Sequence, residues 1–292
     1  MKYCTTFNEV QKYWGKNFRF YLRNIALDTL SIANSLVRDT YLIQPRIHFL
    51  YFHHVFEDEK LNFERLVATL SKTHTFISHS EAIHRLTNNT VDKPYITWSS
   101  DDGFKNNLDA GEILTKYGAS CCFFVNPHSI GLTDYDMIKE FCKVKLEMPP
   151  IEFMTWKDCN DLIDEGHEIG SHTLFHDMVS KMSIPNFKKD LKESKDILET
   201  HCGEIKHFAF PYGKFECFSK EAFEAVFEMG YESCSTAVRG SHMTFGKTLE
   251  RDKLFIRRDQ IIAAWNFNHI LYFMTKSVKS STYEDNFIPD FY

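Results

Sequence analysis

The feature that most constrains the fold begins at Ile47, where the chain starts to alternate short apolar runs with amphipathic segments and continues so to about residue 258. The runs "IHFLYF" (47–52), "YITWS" (95–99), "ASCCFFV" (119–125), "HEIGS" (167–171), "KHFAF" (206–210), "YESCST" (231–236) and "LFIR" (254–257) read as strands, most of them apolar on both faces. Helical patterns lie between them at 107–118, 155–166, 186–203 and 219–230, and each stops at Gly, as helix C-termini often do. Strands apolar on both faces belong to a parallel sheet with helices outside. About seven such units predict a barrel or distorted barrel, and no internal repeat breaks the pattern.

A single α/β barrel runs to about 200–250 residues, so a chain of 292 residues has room for one such domain and short extensions. The expected division is an N-terminal helical extension over 1–45, a catalytic domain over 46–260, and a C-terminal helix and tail over 261–292. Val10, Trp14, Phe18, Leu22 and Ile25 recur at helical spacing, with Lys12, Lys16, Arg19 and Arg23 as a basic side. That segment either packs on the domain or meets a partner or a membrane surface.

Charge narrows the partners. There are 34 basic and 40 acidic residues, a formal charge of −6, with no long run of either sign. A nucleic-acid backbone needs clustered Lys and Arg, so no nucleic-acid partner is expected. Eight scattered cysteines without C-x-x-C spacing fit reduced, buried thiols. The N-terminus, "MKYCTTFNEVQKYWGKN", lacks the apolar run of a signal peptide, and no window approaches the ~20 apolar residues of a membrane span. The expectation is a cytoplasmic protein.

In parallel β/α barrels the chemistry sits at the C-terminal strand ends, and four of the predicted strands end in polar candidates. Asp101 and Asp102 follow 95–99, and His172 and His176 of "GSHTLFHDM" follow 167–171. "PYG" (211–213) follows 206–210, and His53 with His54 follows 47–52. Two adjacent carboxylates repel unless something cationic or catalytic uses both. Alone, Asp-Asp-Gly is also what an Asx turn uses, and one His-x-x-x-His arises readily by chance among 14 histidines. Together, at corresponding strand ends, they read as a metal site. Two imidazoles four residues apart can share a face of a helical turn, and one carboxylate completes a three-ligand site with open positions. Such a nitrogen-rich set suits Zn²⁺, or another divalent ion such as Co²⁺ or Ni²⁺, better than calcium or magnesium. The second Asp is then free to take a proton from the activated water.

The run "LYFHHV…SSDDGFKNNLDAGEILTKYGASCCFFVN…MTWKDCNDLIDEGHEIGSHTLFH…FAFPYG" resembles the polysaccharide deacetylases, the NodB-homology enzymes of carbohydrate esterase family 4, over about residues 47 to 258. The resemblance implies a distorted (β/α)7 barrel that removes acyl groups from sugars, usually N-acetyl groups from amino sugars. By motif position it implies Asp101 as catalytic base, Asp102, His172 and His176 as metal ligands, and Tyr212 lining the substrate groove with its backbone N–H aimed at the oxyanion. Three departures accompany it. Ser100 stands where Phe is usual, and Ala209 stands where many members carry an Arg that orients the base, leaving Arg257 or Arg258 to do so. No Leu-x-His motif follows the last strand. His269, in "NFNHILYF", reads as a packed or surface histidine, whereas His53 resembles the N-terminal general acid of circularly permuted relatives that act on biofilm polysaccharides.

The expected activity is therefore metal-dependent removal of an N-acetyl or other acyl group from an amino sugar, in surface-polysaccharide (lipopolysaccharide or capsule) biosynthesis. A cytoplasmic setting favours a nucleotide-linked or lipid-linked sugar as substrate. An O-acyl esterase, an N-deformylase, or a barrel that keeps metal and only binds glycans are the alternatives. The segment 131–153 exceeds the usual connection length and is either a lid or substrate wall, or a surface elaboration.

Overall fold

The computed structural model describes residues 2–15 and 18–289. Lys16, and the side chains of Phe18 and Arg19 named above, lie outside the described residues. Among the described residues there are nine strands: β1 (Arg46–Phe52), β2 (Thr75–Phe76), β3 (Pro94–Ser100), β4 (Cys121–Val125), β5 (Glu168–Ser171), β6 (His207–Ala209), β7 (Ser233–Ser235), β8 (Phe255–Ile256) and β9 (Asp259–Gln260). They form one sheet in the order β8-β7-β6-β5-β4-β3-β1-β9. Every ladder between them is parallel.

The two ends of that order explain the barrel. β8 pairs with β7 and β9 pairs with β1, yet only Arg257 and Arg258 separate β8 from β9 in sequence. One extended segment thus closes the sheet by crossing from one edge to the other. Counted as one stave it gives seven, the distorted (β/α)7 barrel that the sequence resemblance implies. β2 is a side strand: it borrows the Tyr95–Ile96 part of the β3 edge, while β4 takes Trp98 to Ser100.

β1 is buried along its whole length, as a run apolar on both faces requires. Helices form at Asn107–Lys116, Trp156–Asp164, Ile184–Cys202 and Lys220–Glu228, close to the predicted ranges. Thr155 starts one of them with a capping box to Asp158, so two orphan N–H groups are satisfied reciprocally. Helices at Lys60–Leu70, His79–Thr87 and Tyr135–Phe141 have no counterpart in the sequence reading.

The termini pack on one another. Leu27, Ser31 and Asn34 of the helix Phe18–Ser35 are buried, and Asn34 donates to Thr275 Oγ1 at 3.2 Å on the C-terminal helix Phe267–Ser280. His269 is buried there and lies 2.7 Å from Asp28 Oδ1, so it is the packed histidine its spacing predicted. The other face of the helix Phe18–Ser35 leaves Leu22, Ile25 and Ile32 exposed, as is Leu36 just past its end. No helix among the described residues is long and apolar enough to cross a membrane.

Candidate active site

The strand ends place their polar residues in one cavity of about 390 Å³. His53, Asp101, Asp102, His172, His176 and Tyr212 all line it. Asp102 sits just past β3 with φ +76°, a left-handed conformation that costs a non-glycine residue. Gly103 follows with φ +75°, and a Cβ there would meet Ile130 Cδ1 at 3.0 Å, so the turn that presents both carboxylates needs glycine.

His172 and His176 do not share a helical turn. They flank an irregular loop after β5 in which Thr173 (φ +65°) and His176 (φ +55°) are also left-handed. The loop is pinned from beneath: Asn126 Nδ2 donates to the carbonyls of His172 and Thr173, and the Leu174 N–H donates to Asp190 at 3.1 Å. These anchors supply the convergence that helical spacing was expected to supply.

The Nε2 atoms of His172 and His176 lie 3.5 and 3.4 Å from Asp102 Oδ1. All three groups are buried and their ligand atoms fall within 4.8 Å of one another. A tetrahedral cation with ligands at about 2.0–2.1 Å separates them by roughly 3.3–3.4 Å, so the spacing matches. The electrostatics agree. Asp102 Oδ1 is buried without a hydrogen-bond partner. Burial, reinforced by the charge of Asp101 and opposed by Arg258, pushes the Asp102 carboxyl well above its ordinary range. A cation beside it removes that penalty. Burial lowers both histidines, leaving the neutral imidazoles a metal needs. His172 Nδ1–H donates to the Ala209 carbonyl at 2.8 Å, which turns the Nε2 lone pair toward Asp102.

Asp101 is held differently. Arg258, fully buried at the barrel closure, donates from both terminal nitrogens to the two oxygens of Asp101 at 2.7 and 2.8 Å. It also donates to Ser99 Oγ and the Thr236 carbonyl, and lies over the Tyr51 ring. Burial raises the Asp101 pKa, but the Arg258 charge and its hydrogen bonds outweigh this and hold it down at about 2. Of the two arginines expected to replace the missing one at Ala209, Arg258 does so. Arg257 instead pairs with Asp285 at 2.9 Å.

The consecutive histidines His53 and His54 both border the cavity. His54 Nδ1 is fixed at 2.9 Å from the buried Glu59. His53 Nδ1 lies 3.4 Å from Gln260 Nε2 and has no carboxylate partner among the described residues. Burial lowers its pKa to about 4, against the raising effect of Asp101. Tyr212 takes φ +61°, its hydroxyl donates to the Lys145 carbonyl at 2.9 Å, and its backbone N–H makes no hydrogen bond among the described residues. Gly213 behind it has φ +55°, and a Cβ would strike Ala237 N at 2.4 Å.

Part of the wall comes from the long connection 131–153 and from the N-terminal helix. Lys145 to Met148, from the segment 131–153, line the cavity. Trp14 joins it by donating its Nε1–H to the Glu147 carbonyl at 2.8 Å. The only early signal of Lys145 to Met148 is the unusual length of the connection, and Trp14 has none.

Parallel barrel, carboxylate held by arginine and Asp-His-His cradle together define a hydrolase that could use a bound cation. The polysaccharide deacetylase family model matches residues 88–234, half of the chain, and the chain belongs to that family. It is accordingly a hydrolase of carbon–nitrogen bonds other than peptide bonds, in a family that is metal-dependent and acts on acetylated polysaccharides. Its fold is that of IcaB from Ammonifex degensii (TM-score 0.63, 16% identity, 80% of this chain and 98% of that one). The deacetylase PplD of Streptococcus pyogenes in complex with acetate is also similar (0.58, 18%, 78% and 97%). So is a polysaccharide deacetylase from Bacillus cereus (0.61, 18%, 81% and 69%). No curated protein sequence matches.

Proposed function

We propose that this chain removes an N-acetyl group from an amino sugar, using a divalent cation, Zn²⁺ or a similar ion such as Co²⁺ or Ni²⁺, held by Asp102, His172 and His176. The observation that carries this reading is the division of labour between adjacent carboxylates: Asp102 faces two imidazoles while Asp101 is clamped by Arg258. The bound cation would polarise the acyl carbonyl and make its water acidic enough for so weak a base as Asp101. Asp101 accepts the water's proton with lone pairs that Arg258 leaves free. The Tyr212 N–H points a donor at the charge developing on the acyl oxygen. So weak a base as Asp101 does not keep that proton, which passes to His53, neutral at rest because of its lowered pKa, and His53 then gives it to the departing nitrogen.

The substrate in this reading is a nucleotide-linked or lipid-linked sugar modified in the cytoplasm during surface-polysaccharide assembly. Eight free thiols, six of them buried, fit a reducing compartment. The exposed stripe Leu22, Ile25, Ile32 and Leu36 suits contact with a partner or with a membrane that carries such a lipid.

The test pairs acyl groups with leaving groups. In a panel of free, nucleotide-linked and lipid-linked N-acetyl and N-formyl amino sugars, acetate release from the linked forms should be fastest. His53→Ala should slow the amides by about 10²–10⁴-fold, and slow an activated aryl acetate, whose leaving group needs no proton, far less. Equal losses on both would remove His53 as the acid, and formate release outpacing acetate would make the enzyme a deformylase.

A further inference from the structure

The helix Phe18–Ser35 buries one face and leaves an apolar one opposite. Leu27, Ser31 and Asn34 are buried, and this side packs on the C-terminal helix. On the far side Leu22, Ile25, Thr29 and Ile32, continued by Leu36, follow one another in steps of three and four residues, the spacing by which one helix seats on another. Ile25, Ile32 and Leu36 are 63%, 72% and 86% exposed. With Leu22 they show on the order of 500 Å² of side chain, at the upper end of what a monomer leaves in one patch.

This face is prepared to lose its water to another protein surface. Thr29 Oγ1 donates to the Ile25 carbonyl at 3.1 Å and Ser35 Oγ to the Ile32 carbonyl at 2.7 Å, so neither hydroxyl is left unpaired when the face is covered. The charged residues of the stretch are tied back to their own chain. Arg23 lies over the Trp265 ring at 5.3 Å, Asp28 is 2.7 Å from His269, and Arg38 donates to Asn268 Oδ1 at 3.1 Å. Ala26 and Ala33 flank the row, and such small side chains let a second helix approach to the ~8 Å end of the packing range. A helix that lies on a membrane carries Lys and Arg on its polar face. Here the opposite face is buried, and a net charge of −6 repels an anionic leaflet.

The row is also self-complementary. Turned end for end about Thr29, it sets Leu22 against Leu36 and Ile25 against Ile32, which is what a two-fold interface built from one patch requires. We propose that this face is a homodimer interface, in which the row 22–36 of two copies pairs antiparallel about a two-fold axis at Thr29. Two such patches bury on the order of 1,000 Å² in all, the least that a specific interface needs. The inference stands independently of the reaction and assigns the stripe to a second copy of this chain.

Sedimentation equilibrium and cross-linking test it. At about 50 µM, above the micromolar range a small interface reaches, the wild type should sediment at twice the 34.3 kDa mass of the chain. The double variant Ile25→Glu, Ile32→Glu should dissociate roughly 10²-fold or more readily, with an unchanged circular dichroism spectrum. Leu22→Cys mixed with Leu36→Cys should form a disulfide-linked dimer under mild oxidation. Neither Leu22→Cys alone nor the wild type, with its own eight thiols, should do so. If the glutamate variant does not fold, this cross-link decides. A wild type that stays monomeric, a dimer that survives both glutamates, or no cross-link between positions 22 and 36 would overturn the proposal. Monomeric protein that floats with phosphatidylglycerol vesicles, and loses this in the glutamate variant, would overturn it in favour of a membrane.

Discussion

Asp101→Asn should retain the cation and lose turnover by about 10²–10⁴-fold, the usual contribution of a positioned base. The substitution keeps the size of the side chain and one acceptor for Arg258, and it leaves Asp102, His172 and His176 untouched. Bound metal per chain, measured by elemental analysis, should therefore match the wild type while kcat falls. Near-normal turnover in the metal-loaded variant would take Asp101 out of the chemistry. Loss of metal together with activity would show that the two carboxylates share the cation.

Arg258→Ala should be the most damaging single change in both stability and activity. It strips Asp101 of its cation while leaving the carboxylate 3% exposed inside the barrel. Breaking a buried pair in this way costs about 3–5 kcal/mol, which corresponds to a fall in melting temperature of roughly 5–15 °C. The pH dependence has a definite sign. A carboxyl held at about 2 in the folded state adds stability that is complete above the unfolded value near 4 and is lost as pH falls from there toward 2. That acid-side loss should disappear in Arg258→Ala. The double variant Asp101→Asn, Arg258→Ala should regain part of the melting temperature, because no buried charge is left alone. A double variant no more stable than Arg258→Ala would mean that Arg258 acts by filling space over Tyr51 and Phe124, and not by pairing.

The staves were legible because strands buried on both faces leave uninterrupted apolar runs, and their helices end at Gly118, Gly166, Gly203 and Gly230, all with positive φ. The closing stave was only half legible. "LFIR" reads as a strand, but its continuation into Asp259–Gln260 pairs with β1, more than 200 residues earlier, and carries buried polar groups that mimic a loop. The candidate ligands could be read because each sits next to a strand end. What holds them could not: Asn126, Asp190 and the Ala209 carbonyl act across strands or from a helix, with no local spacing to mark them. The Trp14 wall depends on a contact 133 residues apart in sequence, which only the folded chain reveals.

The central claim is that Asp102, His172 and His176 bind the ion that the reaction uses. Its most direct test is anomalous scattering from Zn²⁺-soaked crystals of the wild type, collected on both sides of the metal edge. The account predicts a single peak within about 2.0–2.2 Å of Asp102 Oδ1 and of the Nε2 atoms of His172 and His176. A soaked crystal with no peak between these three groups, from protein that releases acetate under the same conditions, would contradict it.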